Sequence, residues 1–418
     1  MKDSRYENRY STAKIRLTDA NGAPLKNTKV NFELKNHEFL FGCGAFDTLM
    51  LSYKEKPAFF NITDEEFAKR REFIQERVDK WTAVFNYGTL PFYWGQYEPT
   101  EGDVKWESRM AGAKYLIEHG AIPKGHPLCW HTACADWLMK YDNKTIMDKQ
   151  LERINRDVTQ FKGIIDIWDV INETVIMPVF DKYDNAITRI CNEYGRINLI
   201  KEVFAAAHAA NPDALLLIND FNLSEDYKRV IDECLEAGVP IGAIGIQTHQ
   251  HQGYKGLEWL NTVLDRFSSF GLPLHFTENT LVSGKIMPAH IVDLNDYQVD
   301  EWPSTPEGEE RQAREWTEMY ERLFEHPLVE AVTGWDFADG AWLHAPSGLV
   351  RLDNSEKPSY HALKNMIHEK WHTNEDLVTD EEGYVTLTGF RGQYTVKTAD
   401  KTAELVLKKG AADIECKL

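Results

Sequence analysis

The sequence predicts a (β/α)8 barrel that carries a small β-sandwich built from both ends of the chain. From about residue 38 onwards, eight short apolar runs alternate with stretches whose apolar residues recur at helical spacing. Most of the apolar runs are continuous, which is typical of parallel strands buried on both faces. A doubly wound sheet is the alternative, but the chain has no glycine-rich nucleotide-binding fingerprint. The alternation therefore favours the barrel.

The first three barrel strands are predicted between residues 39 and 131. FLFGCG (39–44) precedes an amphipathic helix that opens with acidic residues, DEEFAKRREFIQERVDKW (64–81). AVFNYG (83–88) is the second predicted strand, and AIPKGHPLCWH (121–131) contains the third.

The remaining five strands each follow a predicted helix. They are IIDIWDVIN (164–172), ALLLIND (214–220), AIGIQTH (243–249), PLHFTEN (273–279) and VEAVTGWDF (329–337). A last helix begins near KPSYHALKNMI (357–367), so the barrel is predicted over residues 38–370.

The two ends of the chain have a different pattern, in which short alternating strands are separated by turn residues. Neither end is long enough to bury a core by itself. We therefore expect residues 9–37 and 372–418 to form one small β-sandwich against the barrel. Its aromatic residues alternate as core residues do, which favours a structural appendage over a carbohydrate-binding module; they are Tyr384, Phe390 and Tyr394.

The net charge of −19 and the pI near 5.2 argue against a polyanionic partner such as nucleic acid. No apolar run is long enough to span a membrane, so no membrane partner is expected. Six cysteines without CxxC spacing predict reduced thiols. The N-terminus MKDSRYENRYS lacks the apolar core of a signal peptide, which predicts a cytoplasmic protein, or a secreted one if a leader has been removed.

Polar and aromatic residues stand at the ends of six successive predicted strands. Because the C-terminal ends of barrel strands meet at one mouth, these side chains are expected to converge there. They are Trp130, His131, Asn172, Glu173, Asn219, Asp220, Asn222, Gln247, His249, Glu278 and Trp335. Two glutamates on opposed strands suit the cleavage of a glycosidic bond, in which one carboxyl group is protonated and the other is ionised.

Motifs at these strand ends resemble those of glycoside hydrolase family 10, the retaining endo-β-1,4-xylanases. The resemblance covers roughly residues 38–370. The matching motifs, in chain order, are GHPLCWH (125–131), WDVINE (168–173), INDFN (218–222), GIQTH (245–249), FTEN (276–279), GWDFADGAW (334–342) and LVRLDNSEKPSYHAL (349–363).

The resemblance implies a role for each matching residue. Glu278 would be the nucleophile and Glu173 the general acid/base, with the two carboxyl groups about 5–5.5 Å apart. His249 would hydrogen-bond the nucleophile. The remaining residues would contact or enclose the sugar at the cleavage position: His131, Asn172, Gln247, Trp335 and Trp342. No metal or organic cofactor is expected, and the expected partner is a carbohydrate substrate.

The sequence departs from the family pattern after the second strand. The Glu, Asn and Lys of the sugar-binding motif are replaced by Thr89, Leu90 and Tyr93, although Trp94 aligns. We expect Tyr93 and Trp94 to contact sugar in a site that has become aromatic and apolar. Ala133 replaces a glutamine, and Asn279 follows the nucleophile in place of Leu-Asp.

Residues 279–310 form a long insertion, which is expected either to reshape the cleft or to be a solvated acidic loop.

Three readings of the function remain open at this point. The first is a retaining β-glycoside hydrolase acting on xylan, and the second is the same mechanism on another β-linked glycan. The third is a catalytically silent carbohydrate-binding barrel, which the presence of both glutamates disfavours. A metal hydrolase would use His126, His131, Asp220, His249 and His251, but no metal is expected.

Overall fold

A computed structural model describes residues 2–57 and 60–418 of the chain. The strands in chain order are β1 Tyr10–Thr18, β2 Lys29–His37, β3 Leu40–Gly44, β4 Tyr87–Pro91, β5 Ile122–His126, β6 Ile167–Asn172, β7 Leu215–Asp220, β8 Ala243–Gln250, β9 Leu274–Leu281, β10 Val329–Gly334, β11 Asn374–Val378, β12 Tyr384–Phe390, β13 Gly392–Lys397, β14 Thr402–Leu407 and β15 Asp413–Lys417.

The helices lie almost entirely between the strands of the barrel. They are α1 Thr48–Leu51, α2 Asp64–Thr82, α3 Trp94–Tyr97, α4 Trp106–Glu118, α5 Asn143–Phe161, α6 Ala186–Tyr194, α7 Arg196–Ala210, α8 Glu225–Glu236, α9 Gly256–Ser268, α10 Pro306–Glu325 and α11 Pro358–Asn365. None of the helices in the described part of the chain is both long and apolar enough to cross a membrane.

Strands β3 to β10 form a closed parallel barrel in the order β10-β3-β4-β5-β6-β7-β8-β9. The predicted (β/α)8 architecture is therefore confirmed. The barrel strands are buried along almost their whole length, as continuous apolar runs require. At the contact between β5 and β6, a Cβ atom on Gly125 would lie 2.1 Å from the ring of Trp168, so only glycine leaves room for this buried indole.

The predicted start of the second barrel strand is wrong. The second barrel strand was expected at residues 83–88, but β4 begins at Tyr87. Residues 83–86 form the turn that ends α2, where the amides of Val84 and Phe85 both donate to the carbonyl of Trp81 at 3.1 Å. Val84 and Phe85 are buried in this turn, so their apolar character reflects burial and not strand geometry.

Both ends of the chain contribute to two further sheets, which form the expected β-sandwich. One sheet has the order β12-β1-β15, and the other has the order β11-β2-β13-β14. The predicted core positions Phe390 and Tyr394 are buried, whereas Tyr384 is half-buried beneath the ammonium group of Lys14. The division of the chain into domains 38–370 and 9–37 plus 372–418 stays a prediction. All six cysteines are free thiols.

Arg9 connects the N-terminal segment to the barrel. Its guanidinium group is buried and donates to the carbonyls of Phe324, His326 and Val329, each at 2.7 Å. The cation also lies 4.6 Å from the ring of Phe39. A single side chain thus satisfies three carbonyl groups where α10 leads into β10.

We predict that Arg9→Ala lowers the free energy of unfolding by about 3 kcal/mol, because it removes two buried hydrogen bonds and one partly buried hydrogen bond. The matched control is Arg5→Ala, which removes a half-exposed arginine paired with Asp3 and should have a much smaller effect. Denaturant unfolding followed by tryptophan fluorescence measures both variants. Equal destabilisation by the two substitutions would contradict the structural role of Arg9.

Candidate active site

Glu173 stands directly after β6 at the mouth of the barrel. Its backbone adopts a left-handed conformation with φ of 57°, which is uncommon for residues other than glycine. The Glu173 amide donates to the carbonyl of Asn219 at 2.8 Å, which anchors this turn. The side chain is 16% exposed and accepts a hydrogen bond from Trp130 Nε1 at 2.8 Å. His131 Nε2 lies 4.0 Å from the same carboxylate oxygen.

The surroundings of Glu173 favour its protonated form. Burial raises the pKa of its carboxyl group well above the ordinary value. The negative charges of Glu278, Asp220 and Asp293 raise this pKa further, and the hydrogen bond from Trp130 only partly opposes them. Glu173 is therefore suited to hold a proton near neutral pH.

Glu278 lies on β9, and its surroundings favour the opposite state. Burial tends to raise the pKa of this carboxyl group, but the charge of His126 and the hydrogen bond from His249 outweigh that effect and lower it. His249 Nε2 lies 3.1 Å from Glu278 Oε2, and Asn219 Nδ2 donates to Oε1 at 2.8 Å. Glu278 is thus a buried carboxylate held by donors on both oxygens.

A buried charge network lies behind Glu278. His126 Nδ1 lies 3.8 Å from Glu278 Oε1 and 2.7 Å from Asp169 Oδ2, and Lys124 Nζ lies 2.6 Å from the same Asp169 oxygen. All four side chains are buried. Although burial raises the pKa of Asp169, the charge of Lys124 and the hydrogen bond with His126 lower it overall.

His126, Asp169 and Glu278 place one potential metal-ligand atom each within 4.8 Å of one another. The ammonium group of Lys124 already neutralises Asp169, and Asn219 and His249 already bond the Glu278 carboxylate. Carboxylates that are already paired and hydrogen-bonded in this way fit a catalytic role for Glu278 better than metal binding. The expectation of a reaction without a metal stays a prediction.

An amide network positions the residues around the two glutamates. Asn172 Oδ1 accepts hydrogen bonds from Asn219 Nδ2 at 2.7 Å and from Gln247 Nε2 at 2.9 Å. Thr277 Oγ1 donates to Asn219 Oδ1 at 2.6 Å, which fixes the orientation of that amide. Because the oxygen of Asn172 is used in this way, its amide nitrogen is the group that remains to donate to a ligand.

Aromatic rings surround the carboxyl groups. Tyr93 lies 5.6 Å from Trp130 and 5.8 Å from His126, measured between ring centroids. Trp335 lies 5.3 Å from His126, and Trp342 lies 4.8 Å from His249. The structure therefore brings together most of the residues predicted from the sequence: Tyr93, His131, Asn172, Glu173, Gln247, His249, Glu278, Trp335 and Trp342.

Trp94 has a different environment from these residues. It is only 4% exposed, its indole N–H donates to Glu98 Oε2 at 3.1 Å, and its ring packs against Trp137 and the guanidinium group of Arg153. These are the contacts of a core residue. The sugar contact expected of Trp94 from its alignment stays a prediction.

Packing explains three of the residues that depart from the family pattern, Thr89, Leu90 and Asn279. Thr89 and Leu90 are fully buried within β4. Asn279 is buried and donates to the carbonyls of Phe276 at 2.9 Å and Thr333 at 2.7 Å, so it joins β9 to β10. Ala133 has a left-handed backbone with φ of 51°.

Several site residues were not assigned a role from the sequence. His126, Trp130 and Asn219 bond or face the glutamates directly, and Lys124 and Asp169 support His126. His126 and Trp130 lie within GHPLCWH and Asn219 lies within INDFN, so the motifs contained the signal. Lys124 carries no such signal, because a lysine within a strand is usually exposed.

Comparison with known proteins identifies the family. The model of glycosyl hydrolase family 10 matches residues 53–366. The chain belongs to glycosyl hydrolase family 10. The expected family and the expectation of a glycoside hydrolase are therefore confirmed.

Curated relatives of this family 10 chain include xylanases. An endo-1,4-β-xylanase of Geobacillus stearothermophilus is 28% identical over 265 residues, which cover 60% of this chain and 76% of the relative. Endo-1,4-β-xylanase B of Thermotoga neapolitana is 25% identical over 296 residues, which cover 66% of this chain and 78% of the relative.

Solved structures share the fold. A family 10 structure from Paenibacillus barcinonensis superposes with a TM-score of 0.62 at 22% identity, covering 79% of this chain and 95% of the other. Xylanase 10B of Thermotoga petrophila, solved in complex with xylobiose, gives a TM-score of 0.60 at 23% identity, covering 80% and 95%.

Proposed function

We propose that this family 10 enzyme hydrolyses β-1,4-xylosyl linkages by double displacement, with Glu278 as nucleophile and Glu173 as general acid/base. The observation that carries the proposal is the opposite shift of the two carboxyl pKa values, up for Glu173 and down for Glu278. A protonated acid and an ionised nucleophile are the starting states that retaining hydrolysis requires.

In the first step Glu278 attacks the anomeric carbon while Glu173 gives its proton to the leaving oxygen. This step forms a covalent glycosyl-enzyme and leaves Glu173 ionised. Glu173 then takes a proton from water, which attacks the same carbon and releases Glu278 with net retention of configuration. Glu278 loses its negative charge when it forms the glycosyl-enzyme. That charge helps to raise the pKa of Glu173, so the pKa of Glu173 falls after the first step. Glu173 must act as a base in the second step, and a lower pKa leaves it ionised for that role.

The surrounding residues orient the sugar and the carboxylates. The Asn172 amide nitrogen donates to a substrate hydroxyl beside the anomeric carbon, a bond that strengthens as positive charge develops on the sugar. His249 and Asn219 hold Glu278, and Gln247 holds Asn172. His131 is neutral, since burial lowers its pKa to about 4, and it lies close enough to Glu173 to contact a sugar there.

The xylan preference rests on the relatives, which are named as xylanases. The second candidate is the same mechanism on another β-linked glycan, and Tyr93 favours it. Tyr93 stands where the family has a lysine, so the positive charge of that lysine is replaced by an uncharged ring. The ring of Tyr93 faces Phe46, His126 and Trp130. A site that loses donors for substrate hydroxyls discriminates less strongly for the sugar that carries them.

A silent carbohydrate-binding barrel has less support, because a binder needs neither an acidic nor a nucleophilic carboxyl group. We propose a carbohydrate substrate and no nucleic-acid or membrane partner, since the net charge of −19 opposes binding to anionic surfaces. The cytoplasmic location stays a prediction.

We predict that Glu278→Ala abolishes turnover, because it removes the carboxylate that would form the glycosyl-enzyme. Glu173→Ala should lower kcat/KM on a natural glycan by about 10²- to 10⁴-fold. It should have far less effect on a dinitrophenyl glycoside, whose leaving group needs no proton. Steady-state kinetics on both substrates test this, with Glu315→Ala on α10 as the control. Full activity of both site variants on a natural glycan, or an inverted product, would refute the assignment.

We predict E278A-sensitive release of reducing ends from linear xylan, arabinoxylan or glucuronoxylan. Mixed-linkage glucan and galactan complete the substrate panel. Cleavage of a xylan would support the xylan preference and would mean that Thr89, Leu90 and Tyr93 modify substrate binding in a xylanase. Cleavage of only the other glycans would show that Tyr93 and its neighbours have changed the substrate, and would overturn the xylan preference.

A further inference from the structure

Residues 282–305, between β9 and α10, form a folded strap at the mouth of the barrel. The strap has its own small core, in which Val282, Met287 and Trp302 are buried. Trp302 Nε1 donates to the carbonyl of Lys285 at 2.8 Å, and Gln252 Nε2 donates to the carbonyl of Ile291 at 2.7 Å. The strap is therefore packed and tethered, and does not behave as a loosely solvated acidic loop.

The outer part of the strap is tied to the loop that follows Glu173. Lys182 Nζ lies 2.6 Å from Asp293 Oδ2 and 2.7 Å from Asp296 Oδ1. Lys182 belongs to the connection between β6 and α6, whereas both aspartates belong to the strap. We call these three residues the clasp. On the other side, Trp342 Nε1 donates to Asn295 Oδ1 at 3.3 Å.

The clasp spans the two catalytic strands. In the barrel order, β6 and β9 are separated by β7 and β8 on one side and by four strands on the other. A connection from the loop after β9 to the loop after β6 therefore closes a ring with the ends of β7 and β8. Trp342 lies over His249, which bonds Glu278, and the charge of Asp293 reaches Glu173. The ring thus lies beside both carboxyl groups.

A closed ring limits how a glycan reaches the site. The scissile bond lies between Glu173 and Glu278, so a chain that extends towards β7 and β8 has to pass through the ring. The end of a chain, or a short oligosaccharide, can enter while the clasp stays closed. The interior of a polymer enters only when the clasp opens.

We propose that Lys182, Asp293 and Asp296 select chain ends and short oligosaccharides over the interior of a polysaccharide. This inference rests on the proposed function and specifies the form of its substrate. The three residues are specificity-determining residues, since none of them has to touch the reacting atoms. The side chains of Lys182, Asp293 and Asp296 are 42%, 33% and 62% exposed, so salt screens their attraction.

The test compares the wild type with Lys182→Glu, which places a negative charge against both aspartates. The substrates are borohydride-reduced soluble linear xylan and the hexasaccharide of the same linkage. We expect the ratio of kcat/KM on polymer to kcat/KM on hexasaccharide to rise at least about fivefold. Viscosity should also fall faster per bond cleaved, because interior bonds become accessible.

Two controls separate the clasp from a general effect of the substitution. Lys228→Glu disrupts an ion pair with Asp232 on α8, where Lys228 is 31% exposed, and should leave the ratio unchanged. Adding Asp293→Lys and Asp296→Lys to Lys182→Glu restores opposite charges and should restore the wild-type ratio. High salt acting on the wild type should shift the ratio in the same direction as Lys182→Glu without any substitution.

The outcomes distinguish this inference from the proposed function. A wild type that turns over both substrates with a ratio unchanged by Lys182→Glu and by salt would overturn the clasp and leave the proposed function standing. The absence of E278A-sensitive turnover on either substrate would overturn both.

Discussion

The side-chain amide of Asn219 is the interaction on which the rest of the site depends. It donates to Asn172 Oδ1 and to Glu278 Oε1, and it accepts from Thr277 Oγ1, so one side chain from β7 joins β6 to β9. The backbone carbonyl of Asn219 also accepts from the amide of Glu173. Gly245 leaves the space that Asn219 occupies, since a Cβ atom there would lie 2.3 Å from Asn219 Oδ1. Asn219 therefore holds both the carboxylate of Glu278 and the backbone of Glu173.

Burial acts on both glutamates in the same direction, so their different states must come from their partners. Glu173 has one indole N–H donor and three nearby negative charges. Glu278 has His249 and Asn219 as donors and His126 behind it, and Asp169 and Lys124 support His126. A barrel can give the two glutamates different partners, because each strand end brings a separate residue to the same mouth.

The architecture and the two glutamates were predictable from the sequence because both leave local signals. Buried parallel strands are continuous apolar runs, and the functional residues follow them directly, as in IDIWDVINE. The start of β4 was not predictable, because Val84 and Phe85 are as apolar in a turn as they would be in a strand. The burial of Trp94 depends on Trp137 and Arg153, which are distant in sequence. The contact between Lys182 and Asp293 likewise joins two loops more than 100 residues apart.

The most direct test of the account is a ¹³C NMR titration of the side-chain carboxyl groups of Glu173 and Glu278, assigned with single Glu→Gln variants. We predict that Glu278 titrates below the ordinary value of 4.5 and Glu173 well above it. Glu278→Gln should lower the pKa of Glu173, because it removes a negative charge that raises it. Equal pKa values for the two groups, or a higher value for Glu278 than for Glu173, would contradict the assignment of nucleophile and acid.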